Sequence, residues 1–293
     1  MTTVNETERD TALTKEISNN VAAALKEDIG AGDVSAALIP SDHQASAQVI
    51  TRDTGVFCGK AWVNETAEQV DANIHVEWLV DDGDAIARNQ VLFRLRGSAS
   101  SLLTAERTML NFVQLLSGTA TKTATYVALI GESKTQLLDT RKTIPGLRHA
   151  QKYAVTCGGG VNHRMGLHDA YLLKENHIAA AGSIGAAVAN ARQANPQMPV
   201  EVEVESLEEL QEAIDAGADI AMIDNFSLAD SRTAVVLAAE KIKLEASGGI
   251  DEDSIKRIAA TGVNYISVGE LTKKIDPLDL SMRFTQRIPE ASA

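Results

Sequence analysis

From residue 131 onward the chain repeats one pattern: a short apolar run, a charged or glycine-rich step, then a helix-length segment. The apolar runs fall at 136–139, 170–174, 200–205, 220–224, 243–247 and 265–269, at intervals of about 20 to 34 residues. The later connecting segments, such as 207–216 and 253–261, are rich in Ala, Glu and Lys. That spacing suits β–α units building a parallel sheet. Six such units predict a barrel or partly open barrel rather than a doubly wound sheet, since no Gly-x-Gly-x-x-Gly follows a strand.

The first half reads differently. Residues 1–15 are expected to be a loose, charged start, followed by a helix through Ile17, Val21, Ala24 and Leu25 and a glycine-rich turn at 27–33. Strands are predicted at 47–50, 55–59, 75–80 and 90–95, with turn chemistry at 81–84. A helix follows over 103–116, an interruption at Ser117 and Gly118, and a second helix through Tyr126 and Ile130. At 293 residues the chain is long for one domain, so one large barrel or two unequal domains are expected.

Charge narrows the partners. With 27 basic and 40 acidic residues the formal charge is −13, which argues against nucleic acid or an anionic membrane as the main partner. No run approaches the roughly 18 apolar residues of a membrane helix. Cys58 and Cys157 are the only cysteines and sit in no zinc-type spacing. The first residues are polar and lack a signal-peptide stretch, so a cytoplasmic protein is expected.

Asp139, Lys174, Glu203, Asp224 and Ser247 all fall at or near predicted strand C-termini, the end at which β/α barrels build their sites. Arg141 and Lys142 follow the first of these strands. Paired cations there suit carboxylate or phosphate recognition; by themselves they also read as a solvated loop. Context favours a site: Arg148, Lys152, Arg164 and Lys174 fall in the same stretch, with His149, His163, His168 and His177, in an otherwise acidic chain. The histidines match no metal-ligand spacing. His163 gains weight from its neighbour Arg164, and the other three read as structural or surface residues.

The carboxylates alternate with valines in Val200-Glu201-Val202-Glu203-Val204-Glu205, so the glutamates share one strand face. Glu203 and Asp224 could together hold a hard cation such as Mg2+, accept hydrogen bonds from sugar hydroxyls, or form a lysine-paired structural ring. Ser247-Gly248-Gly249 and Gly269-Glu270 end the last two strands, where glycine either cradles a phosphate or makes a tight turn.

Taken together, the Asp139–Arg148 run, Cys157-Gly-Gly-Gly-Val-Asn-His-Arg164, Leu173-Lys-Glu-Asn-His-Ile178, Glu201-Val-Glu203-Val, Asp224-Asn225 and Glu245-Ala-Ser-Gly-Gly249 resemble the quinolinate phosphoribosyltransferases, from about residue 20 to Phe284. The resemblance implies an α/β protein: an N-terminal α/β sandwich domain (1–120 plus 277–293) and an open, TIM-like β/α barrel of fewer than eight strands (121–276). It implies transfer of phosphoribosyl from phosphoribosyl pyrophosphate to quinolinate with decarboxylation, giving nicotinate mononucleotide, pyrophosphate and CO2 in NAD biosynthesis, with Mg2+. Arg141, His163, Arg164 and Lys174 would line the quinolinate pocket, and Lys142 would lie between quinolinate and the phosphoribosyl group. Glu203 and Asp224 would hold ribose hydroxyls and Mg2+, and Ser247, Gly249 and Gly269 the 5′-phosphate. A homodimer, possibly assembled further, is implied, with Arg107 reaching the neighbouring subunit's site.

Overall fold

The computed structural model describes residues 6–40 and 42–285, in two compact units. The unit that holds the first half of the chain comprises 6–122, Ile144–Gly159 and 274–285. Its first helix, α1 (Glu6–Ile29), begins nine residues before the end of the expected loose start, because Glu, Arg, Ala, Leu and Lys form helix well without an apolar stripe. Residues 1–5 lie outside the described residues. Gly30, at φ +54, then lets the chain turn where a side chain would be strained.

Four strands of this unit form an antiparallel sheet. β1 (Gln44–Thr51) pairs with β5 (Val91–Ser98), β5 with β3 (His75–Trp78), and β12 (Leu280–Phe284) returns to the free edge of β1. A small ribbon joins β2 (Gly55–Val56) to β4 (Ala85–Ile86). The expected strand at 55–59 is thus two residues long. The helix α2 (Lys60–Val70) follows it, burying Trp62, Val63 and Ala67.

The expected break at Ser117 and Gly118 does not occur: α3 runs unbroken from Ala99 to Ile130. Both residues serve packing instead. Ser117 Oγ accepts the Cys58 N–H at 2.9 Å and donates to the Cys58 carbonyl at 3.1 Å. A β-carbon at 118 would meet the Asp276 carbonyl oxygen at 2.5 Å, so only glycine lets that chain pass.

The other unit comprises Thr123–Thr143 and Gly160–Lys273. Its six strands are β6 (Gln136–Leu138), β7 (Tyr171–Leu173), β8 (Val200–Val204), β9 (Ile220–Asp224), β10 (Lys243–Ser247) and β11 (Tyr265–Ser267). All pair in parallel, in the order β6-β11-β10-β9-β8-β7, which makes an open barrel with β6 and β7 at its edges. The apolar runs predicted these strands because a parallel strand is covered on both faces. The helices begin where capping residues dictate. Ser183, Ser206, Ser227 and Asp251 each accept a backbone N–H from the first turn of α6 (Ile184–Ala194), α7 (Leu207–Asp215), α8 (Leu228–Ala238) and α9 (Glu252–Ala259). Among the described residues no helix is long and apolar enough to cross a membrane.

Candidate active site

A cavity of about 690 Å3 opens at the C-terminal ends of the barrel strands, within the range of small-molecule sites. Its lining brings together Arg141, Lys142, His163, Arg164, Lys174, Glu203, Asp224, Ser247, Gly249 and Gly269, residues drawn from strand ends and the loops that follow them. Arg107 belongs to the other unit, where it stands exposed on α3 between buried Ala105 and Thr108.

The strand pleat explains how β8 serves the cavity. Val200, Val202 and Val204 are buried on one face, while the glutamates of the opposite face grade from buried Glu201 through Glu203 to exposed Glu205. Depth therefore separates three chemically identical side chains. Lys174 Nζ, at the end of β7, pairs with Glu203 Oε2, so the lysine-paired arrangement is present. Asp224, at the end of β9, accepts from Asn225 Nδ2 at 2.9 Å. Asn225 adopts φ +56 and donates its N–H to the Ser247 carbonyl at 3.0 Å. A β-carbon at Gly248 would strike that asparagine side chain, and Gly248 and Gly249 both have positive φ, so this turn demands glycine.

At the cationic end, burial and the charge of neighbouring Arg141 both hold the Arg164 guanidinium below its ordinary value. Two guanidiniums brought together in a half-buried cavity repel, and an anion between them reverses the sign of that interaction.

His163 does not face the cavity as a free donor. Its Nε2 lies 2.8 Å from Glu201 Oε2 and 3.3 Å from Glu245 Oε2, and its Nδ1 accepts the Arg164 N–H at 2.8 Å. Burial disfavours charge on this ring, but the two carboxylates outweigh burial and raise its affinity for a second proton. Since Nδ1 accepts the Arg164 N–H, the ring hydrogen that faces the carboxylates is on Nε2. His177 is also locally engaged, since its Nδ1 accepts the Lys174 N–H at 3.0 Å, where α5 (Glu175–Ala181) begins.

Glu245 and Lys273, which also line the cavity, were not singled out by residue type or spacing. For Glu245 a signal existed. It stands two residues before Ser247 and so shares a strand face with it.

Glu203 and Asp224 are hard oxygen donors on adjacent strands, facing one cavity, and as a donor set they fit magnesium, which takes one or two carboxylates and completes its shell with water and phosphate.

Comparison with known proteins gives a consistent result across the chain. Residues 33–117 match the family model described as quinolinate phosphoribosyl transferase, N-terminal domain, and residues 119–283 match that of its C-terminal domain. A probable nicotinate-nucleotide pyrophosphorylase [carboxylating] of Bacillus subtilis is 44% identical over 260 residues, 88% of this chain and 90% of that protein. The Mycobacterium leprae nicotinate-nucleotide pyrophosphorylase [carboxylating] is 39% identical over 271 residues, 90% of this chain and 95% of that protein. The solved nicotinate-nucleotide pyrophosphorylase of Francisella tularensis superposes with a TM-score of 0.91 at 51% identity, covering 93% of this chain and 97% of that one.

Proposed function

The chain belongs to the quinolinate phosphoribosyltransferase family and catalyses its decarboxylating transfer, and we propose which residues carry it out. The reaction moves the phosphoribosyl group of phosphoribosyl pyrophosphate to the ring nitrogen of quinolinate, releasing pyrophosphate and CO2 and leaving nicotinate mononucleotide.

The observation that carries the assignment is the pair of guanidiniums, Arg141 and Arg164, lining one cavity in the barrel mouth. Quinolinate is a dianion. Its two carboxylates answer these cations and Lys174, each charged hydrogen bond contributing about 1.5–3 kcal/mol. Lys142, whose Cδ lies beside Gly269, we assign between the quinolinate end and the phosphoribosyl end. The Ser247–Gly249 turn is open at Gly249, and with Gly269 beside Lys142 it lines the end of the cavity that we assign to the 5′-phosphate.

Glu203 and Asp224 would hold Mg2+ and the ribose hydroxyls. Bound there, the ion would supply charge to the departing pyrophosphate. The two carboxylates themselves favour the oxocarbenium-like state that develops on the ribose. Once the ring nitrogen carries the ribose it is a cationic pyridinium, which stabilises the carbanion left as the adjacent carboxylate departs. Decarboxylation therefore follows transfer.

We further assign the chain to a homodimer in the cytoplasm, with Arg107 serving the neighbouring subunit's cavity. Its exposure on α3, between buried Ala105 and Thr108, leaves its head group accessible to a second copy of the chain.

The test is one assay of the purified protein with quinolinate, phosphoribosyl pyrophosphate and Mg2+, following mononucleotide and CO2 together. Equal formation of both, lost in Arg141→Ala and on omitting Mg2+, is expected. Quinolinate that binds but is not converted would overturn the assignment.

A further inference from the structure

Two buried glutamates have no part in the roles above. Glu201 on β8 is 3% exposed and Glu245 on β10 is 0% exposed. Glu201 Oε1 and Glu245 Oε1 have no hydrogen-bond partner among the described residues, and Glu245 Oε2 lies 3.3 Å from His163 Nε2. Adjacent buried carboxylates are unfavourable for folding, and a pair kept in a barrel interior calls for a compensating role.

What they face is the His163 ring, at 2.8 Å and 3.3 Å from its Nε2. The three ligand-type atoms lie within 4.8 Å of one another, a spacing that also suits a metal ion. The other ring nitrogen decides against a metal. A metal-bound Nε2 would leave Nδ1 to carry the hydrogen and donate it, yet Nδ1 here accepts the Arg164 N–H. The hydrogen is therefore on Nε2 and points to the carboxylates.

The same segment is gripped from a third strand end. Asp139, fully buried just beyond β6, accepts the His163 N–H at 2.9 Å and Asn162 Nδ2 at 2.6 Å. Carboxylates reached from β6, β8 and β10 thus hold one tripeptide, Asn162-His163-Arg164. The Arg164 head group itself donates to the Ala170 carbonyl at 3.3 Å, a long bond.

We propose that Glu201 and Glu245 are positioning residues: by fixing the His163 ring they set the main chain at Arg164 and so aim its guanidinium at the substrate carboxylate. This rests on the quinolinate reading of the cavity.

Glu245→Leu separates positioning from a purely structural role. The change removes one of two adjacent buried carboxylates and leaves Glu201 paired with His163, so a merely structural role predicts a change in stability alone and no kinetic change. Positioning predicts, in the folded variant, a quinolinate KM raised about 10-fold or more with a phosphoribosyl pyrophosphate KM within about twofold. An unmoved quinolinate KM, or both constants moved alike, would overturn the proposal.

Should the leucine variant not fold, Glu245→Gln decides. It keeps size and one oxygen but lacks the charge, and a rise of about threefold in quinolinate KM alone is expected. No change, or a change shared with the second substrate, would sink it. A wild-type enzyme that converts no quinolinate would instead refute the underlying assignment, whatever the variants do.

Discussion

Gly269 makes room for Lys142: a β-carbon at 269 would stand 2.9 Å from the lysine Cδ and 3.6 Å from its Nζ. The φ of Gly269 is not among the positive ones, so alanine is conformationally acceptable there and the substitution acts through contact. Gly269→Ala is expected to fold normally and to lower kcat/KM by about 10- to 100-fold, as displacing a substrate-facing group by a fraction of an ångström does. Steady-state kinetics beside a melting curve check this; unchanged kinetics would remove Lys142 from the reacting end of the cavity.

Nicotinate, which lacks one of the two carboxylates, should be a very poor substrate. Its binding leaves one of two half-buried guanidiniums without the carboxylate it would otherwise meet, beside a second that repels it. Sites built to pair a substrate's polar group reject the analogue without it by factors on the order of 10^4. Competition between the two substrates, read as a ratio of kcat/KM, is the measurement, and comparable turnover would contradict the pairing of Arg141 and Arg164 with both carboxylates.

The six barrel strands were legible because a parallel strand covered on both faces appears as a short, largely apolar run, and each observed strand lies within such a run, although β8 and β10 also carry the glutamates that face inward. The polar residues that end them were legible for the same reason: they interrupt the runs. Three features were not read. β12 pairs with β1 across the whole chain, Phe284 opposite Ala47, and nothing local marks a strand whose partner lies so far away. α2 carries its apolar residues at Trp62, Val63, Ala67 and Val70, a helical spacing that was there to be found. α3 was divided at Gly118 because glycine is a helix breaker on propensity alone, and the close passage of Asp276 is a tertiary fact. In the site, period-2 alternation put Glu201 and Glu203 on one face but could not say which lay deeper.

Gly118→Ala tests that tertiary fact. In an isolated helix the change would stabilise by about 1 kcal/mol. Here the new methyl meets the Asp276 carbonyl at 2.5 Å, a backbone atom that cannot swing aside. Net destabilisation on the order of 1–3 kcal/mol is expected from denaturant unfolding. A stabilised variant would show that the chain around 276 yields easily.

The Glu201 carboxyl titrates in an unusual range. Burial first, and then the charge of Glu245, push it from 4.5 up to about 7. The folded state thus holds this proton more tightly than the unfolded chain does. Its contribution to stability is complete below 4.5 and is lost as pH rises through about 7. Glu201→Gln has no such proton to lose. The melting temperature of wild type should therefore fall relative to that of Glu201→Gln between about pH 4.5 and 8, and a gap that stays constant would mean an ordinary carboxyl.

Cys58 and Cys157 differ in reactivity for a reason that one variant can isolate. Their sulfurs lie 3.7 Å apart, with the Cys58 thiol donating to Cys157. That hydrogen bond lowers Cys157 against the opposing effect of burial, whereas burial above all, and then the same bond, raise Cys58 well above its ordinary value. Cys157 is also partly exposed while Cys58 is fully buried. Iodoacetamide on the native protein should label Cys157 alone, with Cys58 reached only after unfolding, since the thiolate is the nucleophile. Removing the donor with Cys58→Ala should shift the pH at which Cys157 becomes reactive upward, as peptide mapping across a pH series would read. An unshifted profile would mean that partial exposure, and not the neighbouring thiol, sets the reactivity of Cys157.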